Sequence, residues 1–346
     1  MIKKTCGVLF ILVVLLCTLN NPLAAQSQSC TNHFVLERYD FLLGNQNGPK
    51  GCIWLAPSEV PFSAVLGCWV STCEAMEWCP TCGMWVPSAG APINLTNGNT
   101  YIQQKDVRVP GLGGGLMLER TWNSIVPTSL SAFQVGMFGP NWRSTYEERV
   151  FTGGGAYTGF MLYLRADGGL WVFSSNGSNW TLTAPARVIA TLTQNGTQSW
   201  TLAFQNGEQR VFSYTSGSLT SIIDRNGNKT QLTYDGSNRL TTVTDPVSRT
   251  LSFAYGSSYS NFLVTGVSTS VGISLSYSYD SQGRLIQVTE PDQTTLSFTY
   301  NSQSLITAVT DSQGITLESH TYDSQNRGLT SSRAGGVDAV TITYPQ

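Results

Sequence analysis

The segment Tyr279-Asp280-Ser281-Gln282-Gly283-Arg284-Leu285 decides the fold, because it is one copy of a unit that recurs through the C-terminal half of the chain. Tyr234-Asp235-Gly236-Ser237-Asn238-Arg239-Leu240 is a second copy, and weaker copies begin at Tyr300, Tyr322 and Tyr344. Successive tyrosines are 21 or 22 residues apart, except for a 24-residue step that ends at Tyr279. A fixed period of this length indicates one small structural unit copied along the chain.

Each copy predicts two β-strands and two turns. An alternating strand precedes the tyrosine, as in Leu296-Ser297-Phe298-Thr299-Tyr300, so one face packs and the other meets polar surroundings. The Asp or Asn that follows favours a turn. A single hairpin cannot bury its apolar face, whereas a row of hairpins can. We therefore expect an all-β array in which these residues have structural roles: Tyr234, Asp235, Arg239, Tyr279, Asp280, Arg284, Tyr322, Asp323 and Arg327.

Short strands separated by turns are also predicted upstream of the repeats. Leu116 to Trp122 alternates as a sheet strand would, and turn signals such as Asn195-Gly196 separate further candidates. No part of the mature chain has a convincing helical pattern. Residues 87–92 are rich in Pro, Gly and Ala, which favours a linker. The other predicted strands cover residues 146–151, 160–164, 170–173 and 200–204.

The N-terminus has the features of an export signal. Lys3 and Lys4 precede an apolar run, and small residues offer a cleavage site before Gln26. The run is shorter than the roughly 20 residues that a membrane span requires. A retained anchor or a lipoprotein signal at Cys17 are the alternatives, although Leu16 is too large for lipidation. We expect residues 1–25 to be removed and the mature chain to be secreted or surface-bound, without a further membrane span.

Composition supports an extracellular β protein. Charged residues make up 12% of the chain, about half of the usual ~25%, while aromatic residues reach 11%. The chain has no basic stripe, so nucleic-acid binding has no electrostatic basis in this sequence. The expected organisation is a cap over 26–90, a β domain over 91–165 and a repeat array over 166–346.

All cysteines of the expected mature chain fall in its first third. An even number of cysteines in an exported chain predicts a disulfide framework, whose pairing the sequence does not give. Cys79-Pro80-Thr81-Cys82 has the spacing of a redox motif, but a structural disulfide is the better interpretation in this setting. A zinc site is a weaker alternative because the ligand spacing is poor. The disulfide candidates are Cys30, Cys52, Cys68, Cys73, Cys79 and Cys82.

The Tyr-Asp-x-x-x-Arg-Leu units resemble the RHS (YD) repeat family. The stretches 92–101 and 109–124 resemble the domain that commonly precedes those repeats. The resemblance runs from about residue 92 to the end of the sequence. It implies a spiral β-sheet that winds into a shell, which in relatives encloses a toxin or forms a surface module proposed to bind carbohydrate. This sequence departs from the pattern in having few and degenerate copies, with Leu305 in place of the arginine, and in having no recognisable toxin domain.

Catalytic chemistry finds little support in the residues. The chain has two histidines, His33 and His320, and a hydrolase usually needs a histidine base beside its nucleophile. His320 lies in a repeat strand two residues before Tyr322, where a packing role is the better interpretation. The repeated acids Asp235, Asp280 and Asp323 occur once per unit, whereas a reaction needs a single constellation. We therefore expect no enzymatic activity, no cofactor and no metal.

Three functions remain as hypotheses. The first is a secreted, non-enzymatic scaffold or shell at the cell surface or in the medium. The second is a carbohydrate-binding module, in which aromatic residues such as Trp171 and Trp180 would stack on wall glycans. The third is the N-terminal part of a toxin whose toxin domain is absent from this chain. The expected partners are therefore glycans or an enclosed polypeptide.

Overall fold

A computed structural model describes residues 88–175, 179–185, 188–256 and 262–344, together with the backbone alone of 34–38, 52–55 and 65–69. The side chains of residues 128 and 129 are also left undescribed. The expected export signal and the cysteines Cys30, Cys73, Cys79 and Cys82 lie outside these residues. Cys52 and Cys68 lie in strands of which only the backbone is described. The disulfide framework therefore stays a prediction.

Within the described residues, ten strands precede the main sheet. The first three form an antiparallel sheet in the order β1-β3-β2, and β6, β7 and β10 form another in the order β10-β7-β6. Two small hairpins, β4-β5 and β8-β9, complete this part. The strands are β1 (Phe34–Arg38), β2 (Cys52–Leu55), β3 (Val65–Trp69), β4 (Ser88–Ala89), β5 (Ile93–Asn94), β6 (Tyr101–Val109), β7 (Leu116–Asn123), β8 (Val135–Gly136), β9 (Gly139–Pro140) and β10 (Trp142–Ser144).

The remaining strands form one antiparallel sheet of 19 strands, in which each strand pairs with the next along the chain. The expected all-β fold is thereby confirmed. The strands are β11 (Arg149–Thr152), β12 (Phe160–Leu164), β13 (Leu170–Ser175), β14 (Asn179–Ala184), β15 (Ala190–Asn195), β16 (Ser199–Phe204), β17 (Gln209–Ser213), β18 (Leu219–Ile223), β19 (Lys229–Tyr234), β20 (Leu240–Thr244), β21 (Thr250–Tyr255), β22 (Val264–Thr269), β23 (Ser274–Tyr279), β24 (Leu285–Thr289), β25 (Thr295–Tyr300), β26 (Ile306–Asp311), β27 (Thr316–Tyr322), β28 (Gly328–Arg333) and β29 (Val340–Thr341).

Helical structure in the described residues is limited to four short 3-10 segments. None of them is long and apolar enough to cross a bilayer. The segments are Leu112–Gly114, Thr128–Phe133, Gly155–Tyr157 and Ala334–Gly336.

Alternating sequence produces a sheet with one apolar face. In β23, Leu275 and Tyr277 are buried while the intervening serines are exposed. The same pattern recurs in the other repeats, so the buried side chains form one continuous cluster along the array. We call this buried side the inner face.

A β-bulge accompanies the repeat tyrosines. The strand register shifts immediately before Tyr234, Tyr255, Tyr279, Tyr300 and Tyr322. Each bulge adds one unpaired residue and increases the local right-handed twist of the strand. Bulges repeated once per unit therefore curve the sheet in the same sense along its length.

The curvature brings the first strand of the sheet back to a later hairpin. The Val150 N–H donates to the Gly217 carbonyl at 3.0 Å, and Arg149 forms an isolated bridge with Ser218. Residues in β11 thus contact the turn between β17 and β18, six strands further along the sheet. This contact makes the sheet a spiral rather than an open ribbon.

Residues 88–144, here called the inner domain, cover the inner face of the spiral. Aromatic pairs join the two parts, with ring centroids 4.9 Å apart for Phe138 and Tyr277 and 5.4 Å apart for Trp142 and Phe298. Trp122 contacts Tyr322 in the same way at 6.5 Å. Complete burial of one large apolar side chain stabilises a fold by roughly 1.5–3 kcal/mol, so these contacts anchor the inner domain firmly.

Two sequence-based expectations are corrected here. Residues 88–92 are not a linker: Ala91 is fully buried and its backbone N–H and C=O both bond the Ser331 hydroxyl. The strand expected over 146–151 begins only at Arg149, because Tyr146 lies in a turn and turns inward to accept a hydrogen bond from the Met117 N–H. The hairpin β12-β13 of the main sheet lies on both sides of residues 165/166, and the expected division into domains stays a prediction.

Substitution of Gly217 by Ala is expected to destabilise the spiral closure. Gly217 has φ +68°, and an added Cβ would lie 2.0 Å from the Val150 carbonyl oxygen. We expect a loss of about 2–4 kcal/mol in the free energy of unfolding, measured by urea denaturation. The control is Gly227→Ala, which has φ +82° but no atom within 4 Å of the added Cβ, and should cost about 1 kcal/mol. Equal losses in the two variants would contradict the closure.

Candidate functional site

The repeat acids cap the turn that follows each repeat tyrosine. One carboxylate oxygen of Asp280 accepts the backbone N–H groups of Gln282 and Arg284, both at 2.9 Å. The other accepts the Arg284 Nε–H at 2.6 Å. Asp235 with Arg239 and Asp323 with Arg327 have the same geometry. One Asp–Arg pair in each of these three units therefore stabilises the turn after the repeat tyrosine.

Each of these arginines also contacts the next repeat. The guanidinium of Arg284 lies 4.9 Å from the ring centroid of Tyr300, whose hydroxyl donates to the Leu285 carbonyl at 2.7 Å. Arg239 stacks on Tyr255 and Arg327 on Tyr344 in the same way. Every hydroxyl of the six repeat tyrosines donates to a carbonyl 15 or 16 residues upstream, and the donors are Tyr234, Tyr255, Tyr279, Tyr300, Tyr322 and Tyr344.

The second turn of the unit was expected from the sequence, but its Asp–Arg pair was not. Asp245 caps the second turn of its unit by accepting the N–H groups of Val247 and Arg249, and its other oxygen pairs with Arg249 at 2.7 Å. The Asp-x-x-x-Arg spacing was available as a signal in the sequence. Asn301 and Asp311 cap turns of the same form without an arginine.

A buried ion pair fixes the inner domain on the inner face. Arg120 is fully buried and bonds the carboxylate of Asp106 through two N–H groups, at 2.5 and 2.8 Å. The Tyr277 hydroxyl of the main sheet donates to the same carboxylate at 2.7 Å. The guanidinium also lies 4.7 Å from the ring centroid of Trp142. Burial alone would lower the pKa of Arg120, but the contact with Asp106 outweighs it and raises that pKa.

A cavity of about 390 Å³ lies where the inner domain meets the first tyrosine repeats. Its lining includes Phe133 and Met137 of the inner domain, Arg143 and Glu147, and side chains of the repeats. Volumes of roughly 300–1,000 Å³ are typical of ligand pockets. Phe262, whose surface is 57% exposed, stands on the repeat side of this cavity.

Two charged side chains of this cavity have incomplete partners. Arg143 is 9% exposed, and its nearest carboxylate is that of Glu147, with Nη1 and Oε1 3.8 Å apart. Glu147 Oε1 accepts the Met137 N–H at 2.6 Å, whereas Oε2 is buried without a hydrogen bond within the described part of the chain. Burial raises the pKa of Glu147 and lowers that of Arg143. The cavity lining thus includes a buried carboxylate and a buried guanidinium next to each other.

The remaining sequence candidates do not form a reactive group. His320 is 3% exposed and replaces the apolar residue found at this strand position in other repeats, such as Phe298. Its nearest acid is Glu318, 3.5 Å from Nε2. Trp171, expected to be exposed for glycan stacking, is instead 3% exposed because it packs against Tyr163 and Phe204. Trp180 is partly buried. No group of three potential metal ligands occurs among the described residues.

Comparison with known families identifies both parts of the chain. The model of DUF6531, a domain of unknown function, matches residues 90–173, which includes the inner domain from residue 90 onward. The RHS Repeat model matches residues 214–250, 263–295 and 279–317, where the bulged tyrosine hairpins lie. The chain contains RHS repeats. Its RHS repeats are the strand-turn-strand units of the main sheet.

Curated relatives match a part of the chain at low identity. The tRNA3(Ser)-specific nuclease WapA of Bacillus spizizenii is 28% identical over 226 residues, which is 64% of this chain and 9% of that protein. The tRNA nuclease WapA of Bacillus subtilis is 28% identical over 173 residues, which is 49% of this chain and 7% of that protein. The chain therefore spans less than a tenth of the length of these relatives.

Solved structures with some likeness include toxin complexes. The match to the TcdB2-TccC3-TEV crystal structure covers 88% of this chain and 17% of the chain in that structure, with 12% identity and a TM-score of 0.30. The match to the Photorhabdus luminescens Tc holotoxin pore covers 64% of this chain and 15% of the chain in that structure, with 12% identity and a TM-score of 0.28. At these scores the likeness supports no inference about this chain.

The expectation of a protein without enzymatic activity is wrong. The curated relatives are named as tRNA nucleases, which associates this type of RHS region with enzymes. The expectation rested on the scarcity of histidine and of acid-base groups in the chain. The matched region is a small share of each relative, so its composition does not decide whether the whole protein is an enzyme.

The repeat acids predict a loss of stability in acid. The Arg239 backbone N–H and guanidinium hold the pKa of Asp235 below its usual value, and the pKa values of Asp280 and Asp323 are also lowered. A lowered folded pKa adds stability above the unfolded pKa of about 3.9, and this stability is lost as pH falls through the folded value. The free energy of unfolding should therefore decline below about pH 4. Asp280→Asn should reduce that decline, whereas Asp338→Asn, on a side chain that is 61% exposed, should not.

Removal of Arg120 is expected to be strongly destabilising. Arg120→Met leaves the Asp106 carboxylate buried with the Tyr277 hydroxyl as its remaining bonded partner, and loss of one member of such a pair costs about 3–5 kcal/mol. Chemical denaturation should show this loss, and Asp106→Asn in the same chain should recover at least half of it by removing the charge. Arg333→Met, at a side chain that is 53% exposed, should cost less than about 1 kcal/mol. A similar cost for Arg120→Met and Arg333→Met would refute the anchoring role.

Proposed function

We propose that this chain forms part of the wall of an exported RHS shell that belongs to a nuclease-type enzyme. In this proposal the spiral sheet and the inner domain hold and shield an enzymatic polypeptide. Export is proposed from the signal-like residues 1–25, which the structure does not describe. The single observation that carries the proposal is the continuous 19-strand sheet that curves back on itself, because a sheet of this kind can form a wall around a further polypeptide.

The packing of the described part supports a wall. Ladder hydrogen bonds link all 19 strands, and the Asp–Arg–Tyr contacts tie consecutive turns along one rim. In repeat arrays of this kind stability comes from contacts between neighbours, so the array acts as one extended surface. Such a surface is suited to hold another polypeptide.

The comparisons support the enzymatic half of the proposal. The nuclease names belong to relatives of which the matched region is 7–9%, so most of each relative is available for other parts. The described residues hold one buried histidine and no cluster of metal ligands. This distribution favours catalysis by a polypeptide that the wall surrounds.

A chimera tests the proposal directly. The matching region of the Bacillus spizizenii nuclease would be replaced by residues 88–344 of this chain. We expect the chimera to retain tRNA cleavage and to protect its nuclease part from added protease. A matched chimera with Arg120→Met and Gly217→Ala should lose the protection, because the wall opens.

Two results would contradict the proposal. One is a chimera whose nuclease part is digested as fast as the free nuclease part. The other is cleavage of tRNA by the purified chain itself, with loss of that activity in His320→Phe. The second result would assign the chemistry to this chain rather than to an enclosed polypeptide.

A further inference from the structure

The described part of the chain contains four Asn-Gly pairs, and each of them lies at a turn that connects two strands. The pairs are Asn97-Gly98, Asn195-Gly196, Asn206-Gly207 and Asn226-Gly227. Such a pair is chemically labile, because glycine has no side chain to shield its backbone nitrogen from the asparagine carboxamide. The four dipeptides are identical, so their structural surroundings decide which of them reacts.

The backbone N–H of the glycine is bonded in three of the four pairs. These bonds run from Gly98 to the Asn94 carbonyl, from Gly207 to the Phe204 carbonyl and from Gly227 to the Asp224 carbonyl, at 2.8, 3.0 and 3.0 Å. Each bond must break before the nitrogen can attack another group. Gly196 donates no backbone hydrogen bond within the described part of the chain. Its nitrogen is therefore available for reaction.

The space around each glycine separates the pairs further. A Cβ added to Gly98 would lie 2.6 Å from the side chain of Arg327, and one added to Gly207 would lie 3.1 Å from that of Arg225. Gly196 and Gly227 have no atom within 4 Å of an added Cβ, and both are exposed. These two glycines therefore match in exposure and space and differ in the hydrogen bond of the N–H.

The carboxamide of Asn195 is held through its nitrogen. Nδ2 donates to the Ser199 hydroxyl at 3.1 Å and to the Thr201 hydroxyl at 2.8 Å. A hydroxyl can donate as well as accept, so either group can supply a proton to this nitrogen when it leaves. The Oδ1 atoms of Asn97 and Asn206 instead accept the backbone N–H two residues further along the chain.

We propose that Asn195 is a site of spontaneous deamidation. The Gly196 nitrogen loses its proton to solvent and attacks Cγ of Asn195, which closes a five-membered succinimide ring. The Cγ–Nδ2 bond breaks, and the nitrogen leaves as ammonia. Water then opens the ring at either carbonyl carbon and gives aspartate or isoaspartate. This site goes beyond the proposed function and does not depend on it.

The product changes the hairpin between β15 and β16. Either product adds a negative charge, and isoaspartate also lengthens the backbone by one carbon at a residue that pairs with Ser199 across the hairpin. The neighbouring Gln198 carbonyl accepts the Tyr214 N–H at 3.3 Å, next to the turn that contacts Arg149. The modification would therefore lie beside the contact that closes the spiral.

Peptide mapping of the aged full chain tests the site. The chain is incubated at 37 °C at pH 6 and at pH 8, and mass spectrometry follows each Asn-Gly pair, with chromatography to separate aspartate from isoaspartate. We expect Asn195 to convert about five-fold faster than Asn226, which corresponds to the ~1 kcal/mol of one hydrogen bond. Conversion should be faster at pH 8, because the attacking nitrogen must lose its proton.

Two controls separate the structure from the dipeptide. In concentrated urea the four pairs should convert at similar rates, because their hydrogen bonds and surroundings are lost. Asn195→Gln keeps a carboxamide but is one methylene too long to close the five-membered ring. This variant should abolish conversion at position 195 and leave the rate at Asn226 unchanged.

Three outcomes would overturn the proposal. The first is equal conversion of Asn195 and Asn226 in the folded chain. The second is an intact Asn195 in the folded chain under conditions that convert it in urea. The third is a preference for Asn195 that persists unchanged in urea, which would assign the reactivity to the flanking sequence and not to the structure.

Discussion

Burial of one apolar face is the constraint on which the rest of the structure depends. Every RHS repeat presents residues such as Leu275 and Tyr277 to the same side, and a hairpin cannot bury them alone. The bulges at the repeat tyrosines turn the sheet so that this side faces inward. The inner domain then fills the space, and the buried Asp106–Arg120 pair bonds Tyr277 of the main sheet. Since charges at such depth are stable only when paired, these contacts also fix the position of the inner domain.

The same repeat residues stabilise their own turn and also contact the next repeat. Asp280 closes its own turn through backbone N–H groups and holds Arg284, and Arg284 lies against Tyr300 of the next unit. Tyr300 then bonds the carbonyl of Leu285, next to that arginine. Each Asp–Arg pair on its own is about one-quarter exposed and contributes little. Its effect is to set the register between units, because each member has a defined partner in its own turn or in the adjacent one.

The corrected expectation about enzymatic activity shows a limit of reasoning from residue chemistry. The scarcity of histidine argues against a reaction only among the residues of this chain. His320 lies buried in a repeat strand at the position that Phe298 occupies in the preceding unit. The evidence for an enzyme came from relatives in which this region is a small part. In the proposed arrangement, a wall and a catalytic polypeptide are parts of one protein.

The sequence by itself determined the all-β class, the period of the repeat and the turn after each repeat tyrosine. These properties follow from contacts within about 20 residues, and local spacing records such contacts directly. Only the tertiary structure decided that Ala91 is buried against Ser331, that Trp171 is inside, and that Arg143 and Glu147 meet beside Phe262. These residues are brought together by the winding of the sheet, whose curvature depends on bulges that leave no mark in an alternating pattern. Long-range contacts of this kind depend on the sum of many small twists, which no single stretch of sequence specifies.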